Sequence, residues 1–440
     1  MISLTSSLGF TELSLNEREL KGAVSKNIVL LSLGLLVSLF GASIFRFATS
    51  LYILSETGSG LSFSLTLVMG TLPGVLFGPI SGVIADRVNR KYMVVIMDII
   101  SGLIVLGLLV LSIVDDLKLI YIYVTTFLLS TASVFFNTPM TASLPNMVDD
   151  ENLTRVNSLT SMISSVASIA GPFLGGIIYA IIEFRVFLLI TGVSFILSGV
   201  SEIFIDFELN NRYFKKDEEE DIQESVKVEM NILGDIKEGF SYMVSQKWLM
   251  SIGVFVIFLN LFIMMGLYVP VPYIVREVWG FSAEQYGLLN TMFPVGMLLG
   301  SLILAILPQA KKVYKILISS LFAYSVLIIV IGVITSEKLF ILTNNQYLSI
   351  LIVLYVLIAI SAMFADIPFN VVMQKLIPDD KRGRITGTLR TLTLAFTPVG
   401  AIIGGILVDS ISPWILPIAC GLMMCVLLLT LIKSGSIKDI

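Results

Sequence analysis

Twelve apolar stretches, each long enough to cross a bilayer and each closed by a short polar break, leave this 440-residue chain few ways to fold. The hydrocarbon core of a membrane is about 30 Å thick, and a helix needs about 20 apolar residues to cross it. The stretches fall at 28–54, 61–84, 92–114, 117–140, 157–182, 184–205, 248–275, 284–307, 313–335, 347–370, 383–408 and 413–432. Lipid offers no hydrogen bonds, so each stretch must satisfy its own backbone as a helix. Composition agrees: 56% of residues are hydrophobic and 14% charged, against about 45–50% and about 25% in soluble chains. The expected fold is an all-α polytopic membrane protein with twelve transmembrane helices. A polar lead at 1–27 holds Glu17, Arg18, Glu19 and Lys21. The apolar run after it is longer than the core of a secretory signal, so it is expected to remain as the first span.

The distribution of cations orients the spans. Of the 28 Lys and Arg residues, only Lys118, Arg185, Arg276 and Lys338 fall on the side opposite the termini, and Arg46 lies inside a span. Lys and Arg accumulate on the cytoplasmic side of membrane proteins, so both termini are expected there. The stretch 207–247 joins two sets of six spans. It carries the run 215–221, Lys-Lys-Asp-Glu-Glu-Glu-Asp, which suits a solvated linker. Within it, 234–248 has apolar residues at helical spacing (Ile236, Phe240, Met243), expected as a linker helix, with a membrane-surface helix as the alternative. Residues 434–440 form a short tail.

The halves repeat one another. Without a gap, 137–177 aligns on 366–406, matching Pro139 with Pro368, Asp150 with Asp379, Arg155 with Arg384 and Gly171 with Gly400. Gly175, Gly176 and Ile177 then match Gly404, Gly405 and Ile406. The repeat runs in the same sense and places spans 4 and 5 on spans 10 and 11. Two pseudo-symmetric six-helix bundles follow, 28–206 and 248–433, as in parallel-repeat transporters.

Several function classes drop out. The chain has no histidine, which removes histidine metal sites, serine–histidine catalysis and histidine proton relays. Cys420 and Cys425 sit five apart in the last span and make no metal or disulfide framework. No basic stripe tracks a phosphate backbone, so nucleic acid is not an expected partner. No Gly-rich loop with Lys-Ser/Thr is present to cradle ATP. No metal, cofactor or enzymatic activity is expected.

Span 2 carries Gly70, Gly74, Gly78 and Gly82 on one face. Such a face packs against a neighbouring helix or lets two halves slide; packing is the preferred expectation, since small-residue faces are general in membrane bundles. It runs into Gly82-Val83-Ile84-Ala85-Asp86-Arg87-Val88-Asn89-Arg90-Lys91. This loop resembles the signature between spans 2 and 3 of the major facilitator superfamily, with Asn89 at the family's second Gly, a residue that also tolerates positive φ. The resemblance implies a cytoplasmic latch of Gly82, Asp86 and Arg87 that holds the outward-facing state; Arg90 and Lys91 read more simply as headgroup anchors. In span 5, Gly171-Pro172-Phe173-Leu174-Gly175-Gly176 is similar to the core of the motif of drug:proton antiporters, with Ala167 at the motif's upstream Gly. With Thr57-Gly58-Ser59 and Asn137-Thr138-Pro139, the pattern resembles the branch of macrolide and enterobactin exporters. The span 4 Arg of many such antiporters has no counterpart here.

Charges inside a bilayer cost about 2.5–3.5 kcal/mol at a helix centre on insertion scales and need a reason. Asp366 in span 10 is the leading candidate for binding a proton or cation, with Arg46 in span 1 as its partner, an anion site or a snorkelling surface charge. In the superfamily spans 1, 4, 7 and 10 line the cavity, so Phe45, Asn137, Asn260, Tyr268 and Asn370 are candidate substrate contacts. Asp98 and Glu202 lie toward the cytoplasmic ends of spans 3 and 6 and are expected to be interfacial structural charges. The resemblance implies a secondary transporter in a bacterial plasma membrane, monomeric and surrounded by lipid. It would export amphipathic small molecules, driven by the proton gradient, by alternating access. The alternative is a dedicated exporter or flippase for one metabolite, such as a siderophore or a lipid.

Overall fold

The computed structural model of the protein describes residues 6–210, 240–307, 313–336, 342–377 and 379–433. Twelve of its helices are long and apolar enough to span a membrane. The first six are α1 (Ser6–Thr57), α2 (Gly60–Arg87), α3 (Arg90–Val114), α4 (Leu119–Met147), α5 (Asp150–Ile181) and α6 (Phe184–Glu202). The second six are α7 (Trp248–Val278), α8 (Ala283–Ile306), α9 (Val313–Ile334), α10 (Asn344–Leu376), α11 (Asp379–Ser410) and α12 (Ile415–Lys433). Among the described residues there is no strand.

The turns are short because their residues stop helices efficiently. Gly58 takes a left-handed φ of 57° and Ser59 then caps α2, its side chain accepting from the Ser62 amide. Between α3 and α4, Asp116 has φ 46°, and Asp115 pairs with Lys118 at 2.6 Å. Asn89 caps α3 at φ −59° and accepts from the Lys91 and Tyr92 amides. The positive φ anticipated for Asn89 is therefore not used; its carbonyl oxygen, as a helix cap, accounts for the residue.

The duplication is visible in the packing. In the first half α1 packs on α5 and α6, α3 on α4 and α6, and α2 on α4. In the second half α7 packs on α11 and α12, α9 on α10 and α12, and α8 on α10. Each contact has its counterpart six helices later. Each half also closes cores of its own, one around Val94, Met140 and Leu144, another around Ile252, Leu317 and Leu428.

One expectation about the connection changes, and for the linker helix one of two alternatives is favoured. Ile205, Phe207 and Leu209 are buried in the first half's core, and Asn210 donates to the Pro145 carbonyl at 2.9 Å, so 207–210 belong to the bundle. Residues 240–245 are helical, and Met243 is buried against Leu249, Met373 and Leu389 of the second half, which is inward packing where a surface location was the alternative. The acidic run 215–221 and the tail 434–440 lie outside the described residues.

Candidate functional site

The halves meet along two seams related by the repeat, α5 against α8 and α2 against α11. A Cβ on Gly176 would lie 2.5 Å from the Ala283 carbonyl oxygen and 3.3 Å from the Gly287 Cα. A Cβ on Gly405 would lie 2.8 Å from the Gly60 carbonyl oxygen and 2.5 Å from the Ser64 hydroxyl. The other glycines of each motif face inward: Gly171 and Gly175 meet Ser43 and Phe47 of α1, while Gly400 and Gly404 meet Leu261 and Met265 of α7. The span 5 motif and its copy thus do the same two jobs. Two glycines seat α5 or α11 on the cavity-lining helix of its own half, and the third allows backbone contact with the opposite half.

Further cross-half contacts lie at the same end of the molecule, away from the termini. Phe47 stacks on Tyr286 at 5.2 Å, and Arg276 donates to the Ser55 hydroxyl at 3.0 Å. Asp409, at the end of α11, accepts from the Ser59 hydroxyl at 2.8 Å and from the Gly60 and Leu61 amides at 2.7 and 3.0 Å. A carboxylate from one half thus satisfies the otherwise unpaired amides that open a helix of the other.

The end carrying the termini is different. Cβ atoms on Gly74, Gly78 and Gly82 would meet nothing within 4 Å. The expectation that this stripe packs statically fails for this conformation: it faces open space. Asp86 pairs with its neighbour Arg90 at 3.2 Å, and no contact from Asp86 to the other half is found among the described residues. Arg90 is more than a headgroup anchor. It also donates to the Ala142 carbonyl at 2.8 Å and the Ala85 carbonyl at 3.2 Å, tying α2 to α4. Thr154, Asn157, Ser158, Ser161, Ser164 and Ser165 of α5 are all exposed on this side. Such a polar face at membrane depth fits water-filled space.

Two cavities lie beneath the sealed end, one in each half. The first, of about 340 Å³, is lined by α1, α2 and α4, with Arg46, Gly70, Gly74, Thr126, Ser133 and Asn137 in its wall. Arg46 is exposed to this space, so it is a cavity residue. Asn137 is exposed and donates to the Ser133 carbonyl at 2.8 Å. Phe45 borders the cavity but is only 1% exposed and stacks on Phe187, so packing replaces the substrate contact expected of it. The second cavity, of about 350 Å³, is lined by Phe255, Leu259, Asn260, Tyr324, Asp366 and Phe369 among others. Tyr268 lies outside both linings, edge-on to Phe293 at 6.2 Å. Asn370 is exposed one turn below Asp366 and donates to its backbone carbonyl at 2.9 Å.

The structure does not bring Arg46 and Asp366 together. They line different cavities, and no ion pair joins them among the described residues. It does bring together a pair read from sequence as interfacial. Asp98 and Glu202 are 2% and 0% exposed, enclosed where α6 packs on α1 and α3, which corrects that expectation. The seal carboxylate Asp409 was missed; the copied motif Gly404-Gly405 four residues before it was the available signal.

This geometry can be set beside known proteins. The chain is 22% identical over 387 residues to macrolide efflux protein A of Streptococcus pyogenes, covering 86% of this chain and 88% of the relative. It is 23% identical over 366 residues to multidrug efflux pump Tap of Mycolicibacterium fortuitum, covering 81% and 83%. Its fold superposes on a crystal structure of the nucleoside transporter NupG with a TM-score of 0.66 at 12% identity, covering 93% of this chain and 98% of that one. The family model of the Major Facilitator Superfamily matches residues 31–272 and 250–436. Two six-helix halves built alike, meeting along paired seams around a central opening, are the architecture of that family: this chain is a multi-pass membrane transporter, and it belongs to the Major Facilitator Superfamily.

Proposed function

We propose that this chain exports amphipathic small molecules by proton-driven alternating access. The observation that carries the reading is the pairing of two unlike cavities beneath a common seal. One wall is polar and cationic through Arg46; the other is aromatic and aliphatic with the single carboxylate of Asp366. A ligand with an apolar body and a polar or cationic head matches that division, because aromatic faces and a lone carboxylate both attract cations while the remaining surface favours apolar area. The names of the macrolide and multidrug efflux relatives fit the same substrate class.

The cation distribution supports cytoplasmic termini, and on that reading the open end faces inward. Substrate enters from the cytoplasm or inner leaflet and meets Asp366. The cationic head neutralises ionised Asp366, and the loaded halves rock to close the inner end around the free glycine face of α2. On the outer side a proton takes the carboxylate and displaces the head, and the protonated carrier returns inward to release the proton into the cytoplasm. In the outward-facing state α11 lies along Gly74, Gly78 and Gly82, and Asp86 leaves Arg90 to engage it. Both halves sit in one chain, so a monomer suffices.

The test is ethidium accumulation in efflux-deficient bacteria, comparing wild type with Asp366→Asn at matched expression, with and without a protonophore. Low accumulation by wild type that is abolished by the protonophore and by the substitution is the expected result. An active, protonophore-sensitive Asp366→Asn variant moves the coupling site elsewhere. A wild type that never lowers accumulation overturns drug efflux in favour of one dedicated metabolite or lipid.

A further inference from the structure

The first half holds two carboxylates that the transport cavity does not use. Glu202, the last residue of α6, is 0% exposed, and neither carboxylate oxygen has a hydrogen-bond partner among the described residues. Asp98 of α3, 2% exposed, accepts from the Ser38 hydroxyl of α1 at 2.5 Å. Ser38 lies 2.9 Å from the Ser198 hydroxyl of α6, and Ser198 donates to the Gly34 carbonyl of α1 at 3.2 Å. Glu202 is aimed into the same space. A Cβ on Gly34 would lie 3.2 Å from its Oε1 and 3.6 Å from the Ser198 hydroxyl. Three helices thus converge on two carboxylates, two hydroxyls and a glycine that keeps room for one of the carboxylates.

The groups facing this cluster are few. The cluster's residues are Gly34 and Ser38 from α1, Asp98 from α3, and Ser198 and Glu202 from α6. None of these five residues carries positive charge. An isolated ionised carboxylate in a dry bundle is far more costly than a neutral one, and two like charges side by side add repulsion. A protonated carboxyl carries one donor, and the carboxylate or hydroxyls beside it supply acceptors. A proton therefore resolves the charge and gives the orphaned oxygens a partner.

We propose that the Asp98–Glu202 pair is a proton-binding site of the N-terminal half, separate from Asp366 and enclosed away from the substrate. Taking up a proton forms one O–H bond on the pair and removes one negative charge; release into water restores both carboxylates and requires α1, α3 and α6 to part. The site touches α1 through Gly34 and Ser38, and further along α1 Ser43 seats Gly171 of α5 while Arg46 lines the cavity. Occupancy of the pair is thereby tied to the helix that carries both the seal and the substrate wall. Its use in transport rests on the proton-driven reading above; the binding itself does not.

Infrared difference spectroscopy of the purified full-length protein, stepped in pH, reads the proton on the pair directly. Wild type is expected to show a protonated-carboxyl band that is lost in Glu202→Gln and retained in Asp366→Asn. Absence of the band, or its loss only in Asp366→Asn, overturns the proposal. Disappearance of the band on adding sodium or calcium at fixed pH assigns the pair to a metal cation and overturns it too. Melting curves keep an unfolded variant from counting, and Asp98→Asn, which keeps the hydrogen-bond acceptor for Ser38, is expected to alter the band while still folding. In proteoliposomes, Glu202→Gln is expected to lose pH-gradient-driven ethidium accumulation by tenfold or more while ethidium exchange without a gradient persists. Equal loss of both, with the band unchanged, assigns Glu202 a packing role. If wild type itself ignores the gradient, the proton-driven function fails while the infrared result still decides the site.

Discussion

A methyl group at the seam should unseal the molecule. In the sealed state a Cβ at Gly176 would approach the Ala283 oxygen to 2.5 Å, well short of the 3.4 Å at which ordinary contact begins, so α5 and α8 must separate by nearly an ångström. At Gly405 the obstacles are the Ser64 hydroxyl at 2.5 Å and backbone atoms of Gly60 and Leu61 at 2.8 Å. Overpacking of this kind costs about 1–3 kcal/mol. The cost falls only on the state in which these backbones touch, so it shifts the equilibrium between facing states roughly 5- to 150-fold toward the one open at this end. The two seams share no partner residues, so Gly176→Ala and Gly405→Ala should add in free energy. A reporter cysteine at Leu51, fully buried in the seal, can be placed in a background lacking Cys420 and Cys425. Its labelling by an impermeant maleimide from the side opposite the termini should accelerate at least fivefold with either substitution, and multiplicatively with both. Unchanged labelling in the folded double variant would refute the claim that these glycines exist to let the halves touch.

Replacing Asp409 by Asn keeps the shape but removes the charge that gathers the α2 amides. An exposed cluster of this kind is worth about 1 kcal/mol, so the same reporter should label roughly fivefold faster. Gly78→Leu should behave in the opposite sense: the side chain is unopposed in this conformation, so the protein should fold with unchanged melting yet lose ethidium efflux because the inner end cannot close. At the α3–α4 turn, the Lys118 ammonium and the Tyr121 hydroxyl hold the Asp115 carboxyl below its usual range. A depressed carboxylate stabilises the folded state above its unfolded pKa and loses that contribution as pH falls through the folded value. The melting-temperature gap between wild type and Asp115→Asn should therefore be present at neutral pH and narrow under acid; a gap independent of pH would count against it.

The elements legible in the sequence were those written in hydropathy and spacing. Apolar length gave the spans, and the copied Pro139 and Pro368, Gly176 and Gly405, gave the pairing of halves. What stayed hidden was helix phase. Lipid is as apolar as a bundle core, so a membrane helix does not announce which face is inside. Asp98 and Glu202 looked like charges near helix ends because position along a helix is readable and rotation about it is not. Rotation likewise decides that Phe45 packs on Phe187 while Arg46, the next residue, faces the cavity. The glycine stripe of α2 was legible as a face but not as an empty one, since emptiness belongs to one conformation of two. Asp86 and Asp409 show the same limit: each is an acid at a helix end, and only the conformation reveals which is engaged.

The duplication is broken in one place, and the break bears on stiffness. Where α1 runs as regular α-helix to Thr57, its counterpart α7 winds into π turns at Met264–Tyr268 and Ile274–Val278, on either side of Pro270 and Pro272. The Val269 and Trp279 amides reach back five residues, to Met264 at 3.2 Å and Ile274 at 2.9 Å. A π turn is a wider, less favoured winding, and it can revert to α by passing its extra residue along the chain. One wall of the molecule is thus a rod and the other a spring. If the halves rock as proposed, bending is expected to concentrate in α7 and to move Tyr268, at the edge of the first π turn, more than the residues of α1.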